Sequence, residues 1–158
     1  MVRQDTGQAG VIWQAPANGK LYVSWFAKNF DSIRTTLLPH DEKAALASAT
    51  SDGKGTLFYV MIAETSKVPA GTRDVRLYRT DRDGSKHQVK AQDAKKNDGG
   101  GLNVWKFGTA KNMDNDSALQ YSDGKLGMIL ARRMHLSDDG LNHQGAIAVV
   151  FDAEKLTV

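Results

Sequence analysis

Three segments of the chain share one pattern of polar and apolar positions. Each begins with a short β-rich run, passes through a turn that contains Asn-Gly or Asp-Gly, and continues into a more apolar run. The turns are Asn18-Gly19, Asp52-Gly53 and Asp123-Gly124. Tight hairpin turns need positive φ, which glycine, asparagine and aspartate tolerate best, so the pattern predicts three β-hairpins.

The second run of each segment is almost continuously apolar: LYVSWFA, LFYVMIA and LGMILA. A strand with one wet face alternates polar and apolar residues, whereas a continuous apolar run is typical of a strand buried on both faces. We therefore expect these strands to form the core, and truncation of one of their large side chains to alanine to cost about 2–5 kcal/mol. The predicted core residues are Phe26, Phe58, Ile62, Ile129 and Leu130.

A third strand is predicted after each apolar run, at Ser32–Leu38, Asp74–Thr80 and Gly145–Asp152. In the middle segment a further turn, DRDG at Asp81–Gly84, precedes a fourth strand, HQVKAQ. Each unit therefore has three strands and a fourth of variable quality.

The fourth strand is least certain in the first and last segments. In the first it falls on DEKAALA, Asp41–Ala47, which could equally be a helical turn. In the last it could begin in AEKLTV at the end of the chain, and LNVWKFG, Leu102–Gly108, could add an extra or outer strand.

Four-stranded antiparallel units with a buried second strand are typical of β-propeller blades, which repeat at about 40–50 residues. The chain resembles three consecutive blades over nearly its whole length, at about residues 11–50, 46–108 and 117–158. The resemblance is to β-propellers in general, because no Trp-Asp dipeptide of the WD40 kind is present. It implies one soluble all-β module of three four-stranded antiparallel units. A β-sandwich or a small barrel is the alternative.

Three blades do not close a ring, because propellers typically contain four to eight. The resemblance therefore implies either further blades in a longer chain or a homo-oligomer, most simply a dimer with six blades.

Composition removes several classes of function. The chain of 158 residues has no cysteine, which excludes disulfides, thiolate metal sites and cysteine nucleophiles. Its net charge is only +3 and its basic residues are not clustered, so we expect no nucleic-acid partner. The longest apolar run, Leu57–Ala63, is far shorter than a membrane span, so no membrane partner is expected. We favour an extracellular or periplasmic location over a cytoplasmic one.

The most unusual polar stretch of the chain is MHLSDDGLNHQG. Its two histidines are eight residues apart, and imidazole suits both ligand binding and acid–base chemistry near neutral pH. On a propeller this loop would lie on the face that gathers the loops of neighbouring blades. A solvated hairpin loop whose Asp and Asn side chains make local turn bonds is the alternative. The predicted ligand-binding residues are Arg132, His135, Asp138, Asp139, Asn142, His143, Gln144 and, as a sugar-stacking aromatic, Trp105.

Other chemistry has little support. Asp81, Asp83 and Gly84 resemble the start of a calcium loop, but the downstream bidentate glutamate is missing. Gly99–Gly101 lacks the Gly-Lys-Ser/Thr ending of a phosphate loop, and no Gly-x-Ser-x-Gly frames a nucleophilic serine. We therefore expect no metal and no cofactor, and we identify no catalytic residue.

The function these features favour is a non-catalytic binding or assembly module that presents a polar loop face to a glycan or protein ligand. Two alternatives stay open. The chain could be part of a propeller enzyme that acts on glycans as a hydrolase or lyase, or a purely structural, self-assembling propeller fragment.

The strand pattern makes a spectroscopic prediction. Far-UV circular dichroism should be dominated by β-structure, because patterns with a 3.6-residue period are scarce along the chain. A helical content above about a quarter would contradict the strand assignment, since it leaves no room for that much helix.

Overall fold

The structure is a computed structural model that describes residues 2–3, 7–41, 43–64, 73–91, 117–134 and 143–157. Regular secondary structure within these ranges is entirely β, with no helix, as the sequence predicts. In the same ranges there is accordingly no helix long and apolar enough to cross a membrane. The strands form three open antiparallel sheets.

The sheets follow one another along the chain. The first sheet has the order β1-β2-β3-β4, with bounds Val2–Arg3, Ala9–Gln14, Leu21–Phe26 and Ser32–Leu37. The middle sheet has the order β5-β6-β7-β8, with bounds Ala44–Ser51, Thr56–Glu64, Arg73–Asp81 and His87–Ala91. The last sheet has the order β11-β10-β9, with bounds Ser117–Ser122 for β9, Lys125–Met134 for β10 and His143–Asp152 for β11.

The three predicted hairpins are present, and their turns use positive φ as expected. Asp123 and Gly124 form a two-residue turn with φ of 46° and 75°, the combination that a type I′ hairpin requires. The other two loops are longer. Gly19, with φ 68°, lies in the connection between Gln14 and Leu21, and Gly53, with φ 77°, lies between Ser51 and Thr56.

The middle sheet is covered on both faces. Leu57, Tyr59 and Met61 of β6 pack with the buried face of the first sheet, in a core that also holds Leu21, Val23 and Trp25. The alternate residues of the same strand, Phe58, Val60 and Ile62, pack against the last sheet, in a core that also holds Leu126, Met128, Val149 and Phe151. The two-sided burial predicted for β6 is therefore confirmed, because all six residues are at most 5% exposed.

The sheets approach most closely along one edge of the stack. Backbone contacts between sheets in the described part of the chain join β5 to β9, β1 and β2, and β6 to β9. Gln14 fixes the approach of the first two sheets: its amide nitrogen donates to the Ala44 carbonyl oxygen at 2.7 Å and its amide oxygen accepts from the Leu46 N–H at 3.0 Å. One side chain thus satisfies both a donor and an acceptor on the first strand of the middle sheet.

The predicted fourth strands are only partly correct. The middle sheet has its fourth strand, β8, after the predicted turn. In the first sheet, DEKAALA does not supply a fourth strand, because Ala44–Ser51 pairs with β6 as the first strand of the middle sheet. Before that strand the Ala44 N–H donates to the Asp41 carbonyl oxygen at 3.1 Å. The fourth strand of the first sheet is instead β1, on the opposite edge. Within the described ranges the last sheet has three strands, and its terminal segment turns back to an isolated bridge between Asp152 and Thr157.

The prediction of core residues is also only partly correct. Phe58 and Ile62 are buried as expected, but Ile129 is 50% exposed and Phe26 is only partly buried. Both lie on faces that no third layer covers, so apolar sequence alone did not bury them. The Leu130 side chain lies outside the described residues. A large destabilisation by Ile129→Ala is therefore not expected for the isolated chain.

Two valines of the middle sheet test this layering. Val75 is fully buried between the middle and last sheets, whereas Val89 on the neighbouring strand is 43% exposed. Val75→Ala should lower the free energy of unfolding by about 2 kcal/mol, because it removes buried methyl groups. Val89→Ala should change it by less than about 0.5 kcal/mol. Urea denaturation measures both, and equal costs would contradict the layer order.

Candidate functional site

The polar loop predicted from the sequence lies mostly beyond what the structure describes. His135, Asp138, Asp139 and Asn142 belong to residues 135–142, which are outside the described residues, and so does Trp105. Their assignment as ligand-binding residues stays a prediction.

Three other predicted residues are placed by the backbone at the base of that loop. Arg132 on β10 pairs with Gly145 on β11, and the next rungs of the ladder pair Arg133 with Gln144 and Met134 with His143. The hairpin therefore brings the backbones of Arg132, His143 and Gln144 within three consecutive rungs. Their side chains are outside the described residues.

The aspartates that resemble a calcium loop serve the β7–β8 turn instead. Asp81 accepts hydrogen bonds from the Ser85 hydroxyl at 2.8 Å and the Lys86 N–H at 3.2 Å. Asp83 accepts one from the Ser85 N–H at 3.1 Å. Among the described residues no group of three or more potential metal ligands converges. The carboxylates here are used in turn formation.

A tyrosine pair that the sequence did not single out lies between the first and middle sheets. The rings of Tyr59 and Tyr78 stack with centroids 5.0 Å apart. The Tyr78 hydroxyl donates to the Asp41 carboxylate at 2.8 Å, and the Arg76 guanidinium lies 2.7 Å from the same oxygen. The Tyr59 hydroxyl donates to the Pro39 carbonyl oxygen.

The environment of this pair suppresses ionisation. Burial raises the pKa of Tyr59 well above its usual range, and it does the same for Tyr78, aided by the hydrogen bond to Asp41. Neither phenol therefore acts as an anion near neutral pH. The cluster instead fixes the segment that connects the first sheet to the middle one. Only the residue types, two tyrosines in neighbouring apolar strands, hinted at it in the sequence.

A polar cleft of about 290 Å³ lies at the β7–β8 hairpin. Its lining combines basic and neutral polar side chains with one carboxylate: Thr56, Arg79, Asp81, Lys86, His87 and Gln88. The Arg79 Nε is buried and has no hydrogen-bond partner among the described residues. Sequence reasoning missed this cleft, because only strand pairing brings Thr56 beside Asp81 and Arg79 beside Gln88.

The outer face of the first sheet carries large apolar side chains. Cross-strand pairing places Trp13, Tyr22 and Leu37 in one row and Val11, Ser24 and Thr35 in the next.

Within these rows Val11, Trp13 and Leu37 are 40%, 39% and 49% exposed. The Trp13 ring stacks on Tyr22 at 4.9 Å and its Nε1 donates to Ser24 Oγ at 3.0 Å, so the indole is held in one orientation. Trp13 is therefore a partly exposed aromatic with a fixed ring.

The outer face of the last sheet has smaller apolar residues. Ile129 lies between Ala118 and Ala148, and Gly127 lies between Gln120 and Val150. Ile129 and Val150 are 50% and 59% exposed. The two outer faces therefore differ in the size of their side chains. The first sheet carries bulky aromatic rings, and the last sheet carries small residues around two branched side chains.

The turn between β5 and β6 contains a strongly hydrogen-bonded carboxylate. Asp52 Oδ1 accepts from the N–H groups of Lys54, Gly55 and Thr56 at 2.8, 3.0 and 2.9 Å. Partial burial alone would raise the pKa of Asp52, but hydrogen bonds from the Thr56 side chain and from these backbone groups outweigh it and lower the pKa below its usual value.

Comparison of the chain with protein-family models, with curated proteins and with solved structures gave no match. The fold and the candidate sites therefore define the chain at the level of an all-β protein with three stacked antiparallel sheets.

The Asp52 turn predicts a pH-dependent stability. Because the folded-state pKa lies below that of the unfolded chain, the stabilisation is fully present above the unfolded value of about 4. It is lost as the pH falls below that value and through the lower folded-state pKa. Asp52→Asn should cost about 1 kcal/mol at neutral pH, since the carboxylate is partly solvent-exposed, and the difference from the unchanged protein should shrink towards pH 2.

Denaturant unfolding at a series of pH values measures this difference. Asp31→Asn, at an exposed loop aspartate, is the matched control and should cost less than Asp52→Asn at neutral pH. An Asp52→Asn cost that is independent of pH would contradict the role of the charge.

Proposed function

We propose that the chain is a non-catalytic assembly module whose three sheets are consecutive blades of a β-propeller-like array. In this proposal the outer faces of the first and last sheets stack on those of a second copy of the chain. The observation that carries it is the exposed apolar face of the first sheet, in which Val11, Trp13 and Leu37 remain 39–49% exposed.

The sheets inside the chain already pack in the way that the proposed assembly requires. Both junctions inside the chain are made by apolar β-sheet faces laid on one another, and each forms its own buried cluster. The outer faces present the same kind of surface without a third layer. Apolar patches of this kind on a protein surface commonly mark interaction sites.

The side chains of the two outer faces differ in size, and this difference supports a contact between them. The outer face of the first sheet carries the bulky rings of Trp13 and Tyr22. On the last sheet the residues next to Ile129 and Val150 are small, namely Ala118, Gly127 and Ala148. Large side chains pack closely against small ones, which supports a contact between the first sheet of one copy and the last sheet of the other.

The propeller-like arrangement draws support from the inter-sheet contacts. Each sheet contains three consecutive strands that pair in chain order, and these triplets begin with β2, β5 and β9. The three strands lie along the edge where the sheets approach one another. Blades of a propeller are arranged in this way around their axis. A two-fold pair of three-sheet chains would supply six blades and satisfy the exposed face at each end.

A glycan or protein ligand at the polar loop face is a second candidate. It draws support only from the strand pairing that brings Arg132, Gln144 and His143 to the base of the loop. That pairing is compatible with a solvated hairpin loop as well, so assembly is the function we favour.

Sedimentation velocity at micromolar concentration tests the proposal. The unchanged chain should sediment as a dimer. Val11→Glu on the first sheet and Val150→Glu on the last should each weaken association by about 100-fold or more, because each places a charge in an apolar contact. Circular dichroism should confirm that both variants remain folded, since both valines are exposed in the single chain.

Val89→Glu is the matched control, because Val89 is 43% exposed, close to the 40% of Val11, but does not lie on either outer face. It should leave the dimer intact. A compact monomer of the unchanged chain, or equal dissociation by Val89→Glu, would overturn the assembly.

A further inference from the structure

We infer that the cleft at the β7–β8 hairpin is a binding site for an oxyanion group, such as a carboxylate, sulfate or phosphate, carried by a polar ligand. The site lies within one chain, so it does not depend on the proposed assembly. Its residues come from the end of β7, the following turn and the start of β8, together with Thr56 at the start of β6.

The backbone of the hairpin holds these residues in a fixed relation. Arg79 pairs with Gln88 across β7 and β8, and Thr56 pairs with Asp81 across β6 and β7. The Lys86 carbonyl oxygen accepts hydrogen bonds from the Thr80 hydroxyl at 3.0 Å and the Asp81 N–H at 3.1 Å. The backbones of Arg79, His87 and Gln88 therefore lie on a hydrogen-bonded ladder, which limits the backbone entropy lost on binding.

Positive charge and N–H donors dominate the cleft. Arg79 and Lys86 each carry a positive charge, and the ring of His87 and the amide of Gln88 add donors. The one carboxylate, on Asp81, already accepts bonds from the Ser85 hydroxyl and the Lys86 N–H within the turn. It is therefore partly satisfied, and the remaining charge favours an anion.

The Arg79 side chain has an unused donor. Its Nε is buried, and no hydrogen-bond partner for it occurs among the described residues. Buried donors are normally paired, and an unpaired one costs free energy. Arg82 also has a buried, unpartnered Nε, but its guanidinium is otherwise engaged, over the Trp25 ring at 4.7 Å and with the Gln8 side-chain oxygen.

The ligand class follows from these groups. A planar guanidinium beside an ammonium suits an oxyanion, to which Arg79 can donate two parallel hydrogen bonds. The volume of about 290 Å³ lies near the lower limit for a small-molecule pocket. The hydroxyl of Thr56 and the amide of Gln88 could then bind polar groups next to the anion, as an acidic sugar would offer.

Titrations monitored by amide NMR test this site at low ionic strength. The probes are inorganic phosphate, inorganic sulfate and glucuronic acid, with glucose as the neutral counterpart. We expect saturable shifts at Thr56, Arg79, His87 and Gln88 with at least one of the three anions, and none with glucose. Preference for glucuronic acid would identify a sugar carboxylate, and preference for an inorganic anion would identify a sulfate or phosphate group.

Substitutions make the test specific. Arg79→Gln should weaken anion binding about 10-fold or more, as expected for loss of a charged hydrogen bond. Lys86→Gln removes an exposed charge and keeps the inference testable if Arg79→Gln does not fold. It should also weaken binding. Lys20→Gln, at an exposed lysine in the loop before β3, is the control and should have no effect.

Several results would overturn the inference. These are the absence of saturable shifts with all three anions, unchanged binding in folded Arg79→Gln and Lys86→Gln, equal weakening by Lys20→Gln, or binding of glucose as tight as that of glucuronic acid.

Discussion

Strand β6 has apolar side chains on both of its faces, and a strand of this kind is stable in water only when a layer covers each face. Phe58, Val60 and Ile62 need one cover, and Leu57, Tyr59 and Met61 need another. The first and last sheets supply the two covers, each with one of its two faces. The three-layer order and the two separate cores both follow from this requirement.

Polar contacts then select one arrangement of the layers. Gln14 joins β2 to β5, and Tyr78, Asp41 and Arg76 fix the connection between the first and middle sheets. Hydrophobic burial has no preferred direction, whereas hydrogen bonds have, so these few contacts help to define how the first sheet lies on the middle one. The raised pKa values of Tyr59 and Tyr78 belong to this structural role, because a buried neutral phenol is what the interface requires.

The first and last sheets each have an outer face that no other sheet in the described part of the chain covers. A sheet that uses one face to cover β6 exposes its other face, and in the first sheet that face carries Val11, Trp13 and Leu37. In the proposed assembly this outer face packs on a sheet of a second copy, as the sheets pack on one another inside the chain. The cleft with Arg79 and Lys86 is separate from both outer faces, so ligand binding there and stacking of sheets would not compete for the same surface.

The sequence by itself determined the elements that depend on neighbours along the chain. The three hairpins, the third strands and the β7–β8 turn were predictable because positive φ at Gly19, Gly53 and Gly124 and strand periodicity are local properties. Only the tertiary structure decided which apolar strands have two covers. LFYVMIA is buried on both faces and LGMILA is not, since Ile129 faces away from the stack, although the two runs look alike. The part of DEKAALA from Ala44 onward belongs to the middle sheet for a similar reason, because it pairs with β6. The polar loop at 135–142 remains a sequence prediction, whereas the Tyr78–Asp41 contact and the Arg79 cleft depend on residues brought together by folding. Burial and convergence are properties of the whole stack, and no local pattern contains them.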